Sequence, residues 1–156
     1  THFIASVWQV MEQCPQHHFQ VLTKRPDRMA ALFASKAILP LEHVWIGTSV
    51  ESAEVSDRIS HLVAIPAMTR FVSFEPLIGP VGNIDLSGVH WAIVGGESGP
   101  KARPMEPQWV EEIRILCRRD EVAFFFKQWG GRNKKTTGRI LNGRTYDEYP
   151  VQLAAP

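Results

Sequence analysis

Cysteine is scarce in this 156-residue chain: Cys14 and Cys117 stand far apart, with no second thiol near either. That excludes a cysteine metal site of the usual short ligand spacing, and two isolated thiols suit a cytoplasmic protein kept reduced. No apolar run approaches the roughly 20 residues that a membrane span needs, so no membrane partner is expected. Charge of one sign is not in excess either. A net charge of +1 with 21% charged residues argues against a disordered chain and against a coat of basic residues. Internal repeats and low-complexity segments are absent. So is a starting methionine: Thr1-His2-Phe3-Ile4 enters an amphipathic pattern at once, and the chain is expected to be a fragment of a longer protein.

What is present is a hydrophobic share of 44%, enough for the core of one domain. Five short apolar runs each stop at charged or hydroxylated residues. They are Phe19–Leu22 before Thr23-Lys24-Arg25, Val44–Gly47 before Thr48-Ser49-Val50-Glu51, and Phe71–Phe74 before Glu75. Trp91–Val94 before Gly95-Gly96-Glu97-Ser98 and Ala123–Phe126 before Lys127-Gln128 complete the set. Segments of helical period lie between them: Ile4, Val7, Trp8, Met11; Val55, Ile59, Leu62, Val63; and Trp109, Ile113, Leu116, Cys117. Pro26 and Pro107 are placed to open helices, where a missing N–H costs little. Between Glu75 and Trp91, repeated Pro and Gly predict a loop.

This alternation predicts an α/β fold with a parallel sheet of four to five strands, covered on both faces. A closed eight-stranded barrel takes about 250 residues, so this chain could not close one alone. Residues 1–130 would form that domain. Residues 131–156 are expected to be a basic tail outside the core, with Asn142-Gly143 at the tip of a tight hairpin. The open sheet edges would then call for a homodimer or a missing N-terminal half.

In parallel α/β folds the carboxyl ends of the strands hold the ligand, so the five polar strand ends are the candidate site. Glu75, held before Pro76, is the candidate base, with Lys127 and Lys24 as catalytic partners; the plain alternative is an ion pair closing the rim. Gly95-Gly96 allow close backbone approach and could offer N–H groups to an anion, with Glu97 and Ser98 as side-chain contacts. A simple turn is the other reading. The motif is neither a Walker loop, lacking Gly-Lys-Ser/Thr, nor a Gly-x-Ser-x-Gly elbow.

Thr23, Lys24 and Arg25 precede a helix N-terminus and suit phosphate or carboxylate, or else simply cap the helix. Ser49 and Glu51 repeat the arrangement with opposite sign, which suits a zwitterion. Arg103 would fold back over the pocket or lie in solvent. Gln128 and Trp129 end the last strand, and Trp129 would stack on a base or close the end of the barrel. From Lys127 to Arg144 there are six basic residues and no acidic one, so Arg132, Lys134, Lys135 and Arg139 form a candidate nucleic-acid surface. The histidines show no ligand spacing, and no metal site is assigned.

Several of these strings resemble one family. They are Leu22–Met29, Trp45–Glu51, Phe74–Pro80, Val94–Met105, Phe125–Gly130 and Gly138–Glu148. Together they are similar to the uncharacterised phage and prophage proteins called gene product thirty-seven or sixty-eight, found widely in bacterial chromosomes as well. Full-length members look like radical S-adenosylmethionine proteins with a partial parallel barrel and an N-terminal cysteine cluster for a [4Fe–4S] centre. The resemblance here covers the later half of that barrel and implies that the sheet is part of a TIM-like barrel, helices outside. The cysteine cluster is absent, so this chain holds no cofactor of its own.

The resemblance implies that Glu75, Gly95, Gly96, Glu97 and Lys127 line a pocket for S-adenosylmethionine or a substrate in the intact protein, the fragment being inert alone. A nucleic-acid-binding module using the basic tail is the alternative. A third reading is a cofactor-free barrel enzyme acting on a phosphorylated small molecule, with Glu75 as base.

Overall fold

A computed structural model describes residues 2–150, apart from the side chains of Lys134 and Lys135. The order is α1 (His2–Glu12), β1 (Phe19–Thr23), α2 (Pro26–Ala34), β2 (Val44–Ser49), a 3-10 turn (Ala53–Val55) and α3 (Arg58–Val63). Then come β3 (Arg70–Phe74), β4 (Trp91–Gly95), α4 (Pro107–Arg119), β5 (Ala123–Gln128) and the short α5 (Lys134–Thr137). Pro26 and Pro107 open α2 and α4 as their fixed φ favours. The segment expected as one helix around Val55 and Val63 is instead broken into the 3-10 turn and α3. Among the described residues no helix is long and apolar enough to cross a membrane.

All four strand pairings are parallel and the strands lie in chain order, β1-β2-β3-β4-β5. Consecutive parallel strands joined by crossovers of one hand keep their helices on one face. The burial shows this. Val44 and Ile46, Val72 and Phe74, Ala92 and Val94, and Phe124 and Phe126 alternate into one core with Trp8, Phe33, Leu62, Val110 and Ile113 of the helices. The opposite sheet face carries a second cluster, Trp45, Phe71 and Trp91, with no helix residue in it. Gly47 lies under Phe71, where a Cβ would come 2.4 Å from the ring. One-sided helices on a sequentially ordered sheet are the arrangement of a section of a β/α barrel.

The stretch from Pro76 to His90 is a loop, yet it sends Leu77, Val81, Leu86 and Val89 into the core. Burial of each such side chain stabilises by about 1.5–3 kcal/mol, which ties an irregular backbone to the sheet. Val7, expected on the core face of α1, is 40% exposed; Trp8 and Met11 carry that packing.

The basic segment after β5 corrects the expectation of a tail outside the core. It turns at Asn142-Gly143, both at positive φ, with Leu141 and Arg144 exchanging backbone hydrogen bonds of 2.9 and 3.1 Å. It then runs back along β5: the Phe126 N–H donates to Tyr146 O at 3.0 Å and the Glu148 N–H to Phe124 O at 3.3 Å. Leu141 and Tyr146 are buried, and Tyr149 packs on Trp91 and Phe125 of the helix-free face. The outer edge of β5, expected to be open, is covered in this way because unpaired strand edges seek partners. Residues 151–156 of the expected tail lie outside the described residues.

Candidate functional site

Because the strands are parallel and adjacent, Lys24, Glu51, Glu75, Gly95–Glu97 and Lys127 all leave the same end of the sheet. At its centre Glu75, which follows β3, reaches across β4 to Lys127 of β5. Lys127 Nζ donates to both carboxylate oxygens, at 3.0 and 2.9 Å. The bridge passes over Gly95, where a Cβ would stand 3.2 Å from Glu75 Cδ. Gln128 Nε2 adds a donor to Glu75 Oε1 at 3.3 Å and to Ser98 Oγ at 3.1 Å. The Glu75–Pro76 peptide is cis. The Lys127 side chain is 46% exposed and that of Glu75 23%, so the pair is open to an incoming polar ligand.

On one side of this centre Lys24 of the β1 end pairs with Glu51 of the β2 end at 2.5 Å, and Arg58 holds the other Glu51 oxygen at 3.0 Å. Burial pushes the Glu51 carboxyl up, but the Lys24 hydrogen bond and the Lys24 and Arg58 charges outweigh it, and the net shift is downward. On the other side the Arg103 guanidinium meets both oxygens of Glu97 at 2.7 and 2.8 Å. These hydrogen bonds, with the Arg103 backbone N–H, hold the Glu97 carboxyl down to about 2. Arg103 is raised chiefly by its Glu97 hydrogen bonds, against burial, with Glu51 contributing as well. The rim is thus a row of ion pairs.

The sequence of residues 1–150 matches the family described as Protein of unknown function (DUF5131). The chain belongs to this family. No curated protein and no solved structure was found to match.

Several residues named from the sequence already have partners within this DUF5131 chain. The Gly96 N–H is not offered to an anion, because it donates to Gln128 O at 3.0 Å. Gly96 is small because backbones cross there: a Cβ would stand 2.0 Å from Trp129 O. The Gly131 N–H to Glu97 O bond, 2.7 Å, and the Gly99 N–H to Gly131 O bond, 3.1 Å, extend the β4–β5 contact beyond the strands. Thr23 Oγ1 accepts the Arg25 N–H at 3.0 Å and Arg25 pairs with Asp27 at 3.0 Å, so both serve the entry to α2. Ser49 is buried in β2, and its carbonyl accepts from Arg58 at 2.9 Å.

Trp129 is turned inward. Its ring meets Phe126 edge-on at 4.9 Å and its indole N–H donates to Ile140 O at 2.8 Å, which leaves its edge committed to the fold. Arg139 is paired with Asp147 and stacked 5.0 Å over Phe125, so it is a brace for the returning segment. Arg132 is exposed, and the side chains of Lys134 and Lys135 lie outside the described residues. Among the described residues no three His, Cys, Asp or Glu could hold a metal ion. The residues of this chain therefore do not fit a [4Fe–4S] cluster, which needs thiolate ligands. Arg58 was missed from the sequence; its only signal is a cation seven residues after Glu51 at the start of a helix.

Proposed function

We propose that the strand-end rim binds a small zwitterionic ligand, and that the chain is the later part of a radical S-adenosylmethionine-like barrel of a phage-associated protein. The methionine moiety of S-adenosylmethionine, or an amino-acid-like substrate, has the required chemistry. The observation that carries this reading is the Glu75–Lys127 bridge over Gly95, with Gln128 beside it. An ammonium group replaces Lys127 on Glu75, and the released Lys127 ammonium takes the ligand carboxylate. Each charge stays paired throughout, so the exchange avoids leaving a half-buried carboxylate alone. Ser98 and Gln128 remain to orient a neighbouring polar group. The chain alone is expected to be inactive.

Titration calorimetry with S-adenosylmethionine, S-adenosylhomocysteine and methionine tests the proposal. Binding is expected for the wild type and should weaken at least tenfold in Glu75→Gln and in Lys127→Met. Absence of binding by all three ligands, or affinities indifferent to both substitutions, counts against it.

A further inference from the structure

One hollow lies away from the rim. A cavity of about 660 Å³ opens where β5 begins, between α4 and the segment that returns along β5. Arg114 and Arg118, four residues apart and so on one side of α4, form one wall, and Arg144 and Tyr149 belong to the other. Arg114 is already held by Glu111, through hydrogen bonds of 2.9 and 2.5 Å. Among the described residues the side chains of Arg118 and Arg144 are in no ion pair. The Arg144 guanidinium instead lies over the Tyr146 ring, 4.3 Å from its centroid.

Arg118 and Arg144 line one cavity without carboxylate partners, so a phosphate can accept from both guanidinium groups. Tyr149 supplies the second element. One face of its ring packs on Trp91, centroids 4.9 Å apart and 32° from parallel, while 49% of the residue stays exposed at the cavity. An aromatic ring backed in this way is a stacking platform for a base. Glu121 and Glu148 also line the hollow. Two carboxylates disfavour a continuous phosphate backbone but can accept from sugar hydroxyls. The volume is within the ordinary range of about 300–1,000 Å³ for small-molecule sites.

We infer that this cavity is a second site, binding a nucleoside phosphate: Arg118 and Arg144 hold the phosphate, Tyr149 stacks on the base, and Glu121 and Glu148 meet the ribose. It is independent of the rim.

Calorimetric titration of the chain with AMP, inorganic phosphate and a short oligodeoxythymidylate is the test, supported by thermal melts. AMP should bind with a submillimolar Kd and at least tenfold more tightly than phosphate. Arg118→Glu and Arg144→Glu should each weaken AMP at least tenfold. Arg118 is exposed in the last turn of α4, so Arg118→Glu should lower Tm by only a few degrees and separates binding from folding. Tyr149→Ala should cost AMP severalfold and leave phosphate unchanged. Lys127→Met, at the rim, should leave AMP binding intact, which distinguishes failure here from failure of the rim proposal. No AMP binding, phosphate binding as tightly as AMP, indifference to both arginine variants, or tighter binding of the oligonucleotide than of AMP would overturn the assignment.

Discussion

Replacing Gly96 by alanine places a methyl carbon 2.0 Å from the Trp129 carbonyl oxygen and 2.7 Å from its carbonyl carbon, where real Cβ atoms essentially never come within 3.0 Å. No flexible side chain can yield, because both neighbours are backbone. The two segments must move apart by about 1 Å or more, and overpacking of this kind costs about 1–3 kcal/mol. The displacement also strains the Gly96 N–H to Gln128 O and Gly131 N–H to Glu97 O bonds, 3.0 and 2.7 Å long. Each is worth about 1 kcal/mol, which brings the total to roughly 3–5 kcal/mol. At about 2–4 °C per kcal/mol for a chain of this size, Tm should fall by roughly 6–20 °C. Gly82→Ala is the control, since Gly82 has φ +72° and nothing within 4 Å of an added Cβ. It should cost only the left-handed backbone penalty of about 1–2 kcal/mol. Urea unfolding of both variants decides the matter: if Gly96→Ala costs no more than Gly82→Ala, the close crossing of backbones at the rim does not exist.

The Glu97–Arg103 pair should make stability depend on pH in acid. The folded carboxyl sits at about 2, below its ordinary 4.5, so its contribution is complete above pH 4.5 and is lost as pH falls toward 2. Glu97→Gln should flatten the stability profile in that window, and an unchanged profile would contradict the pairing. Burial pushes the Cys117 thiol up to about 12, with lesser contributions from Glu148 and Asp120. At pH 8 a thiol reagent should therefore modify the half-buried Cys14 quickly in the native protein and Cys117 only on unfolding; two equally fast thiols would refute the packing of α4.

The elements of this fold were legible because they are local. An apolar run shows a strand, Pro26 and Pro107 show where helices begin, and the breakers after Glu75 show a loop. The polar strand ends were legible for the same reason, and Lys24, Glu51, Glu75 and Lys127 could be named from where each run stopped. What those side chains do depended on neighbours far along the chain. Glu75 and Lys127 are 52 residues apart and meet only because β4, lying between their strands, carries a glycine at the crossing.

Arg139 looked like a nucleic-acid contact because its immediate surroundings are basic, and Trp129 was open to stacking on a base or closing the end of the barrel. The fold packs Trp129 against Phe126 and uses Arg139 to brace the returning segment. The segment after β5 read as a solvated tail because six basic residues and no acidic one run from Lys127 to Arg144, yet the free edge of β5 offers backbone hydrogen bonds that only the assembled sheet can present. Hydrophobic period and backbone stereochemistry are properties of a few consecutive residues and survive in sequence. Charge pairing, close backbone approach and the covering of an edge are relations between segments, and these were decided by the tertiary structure.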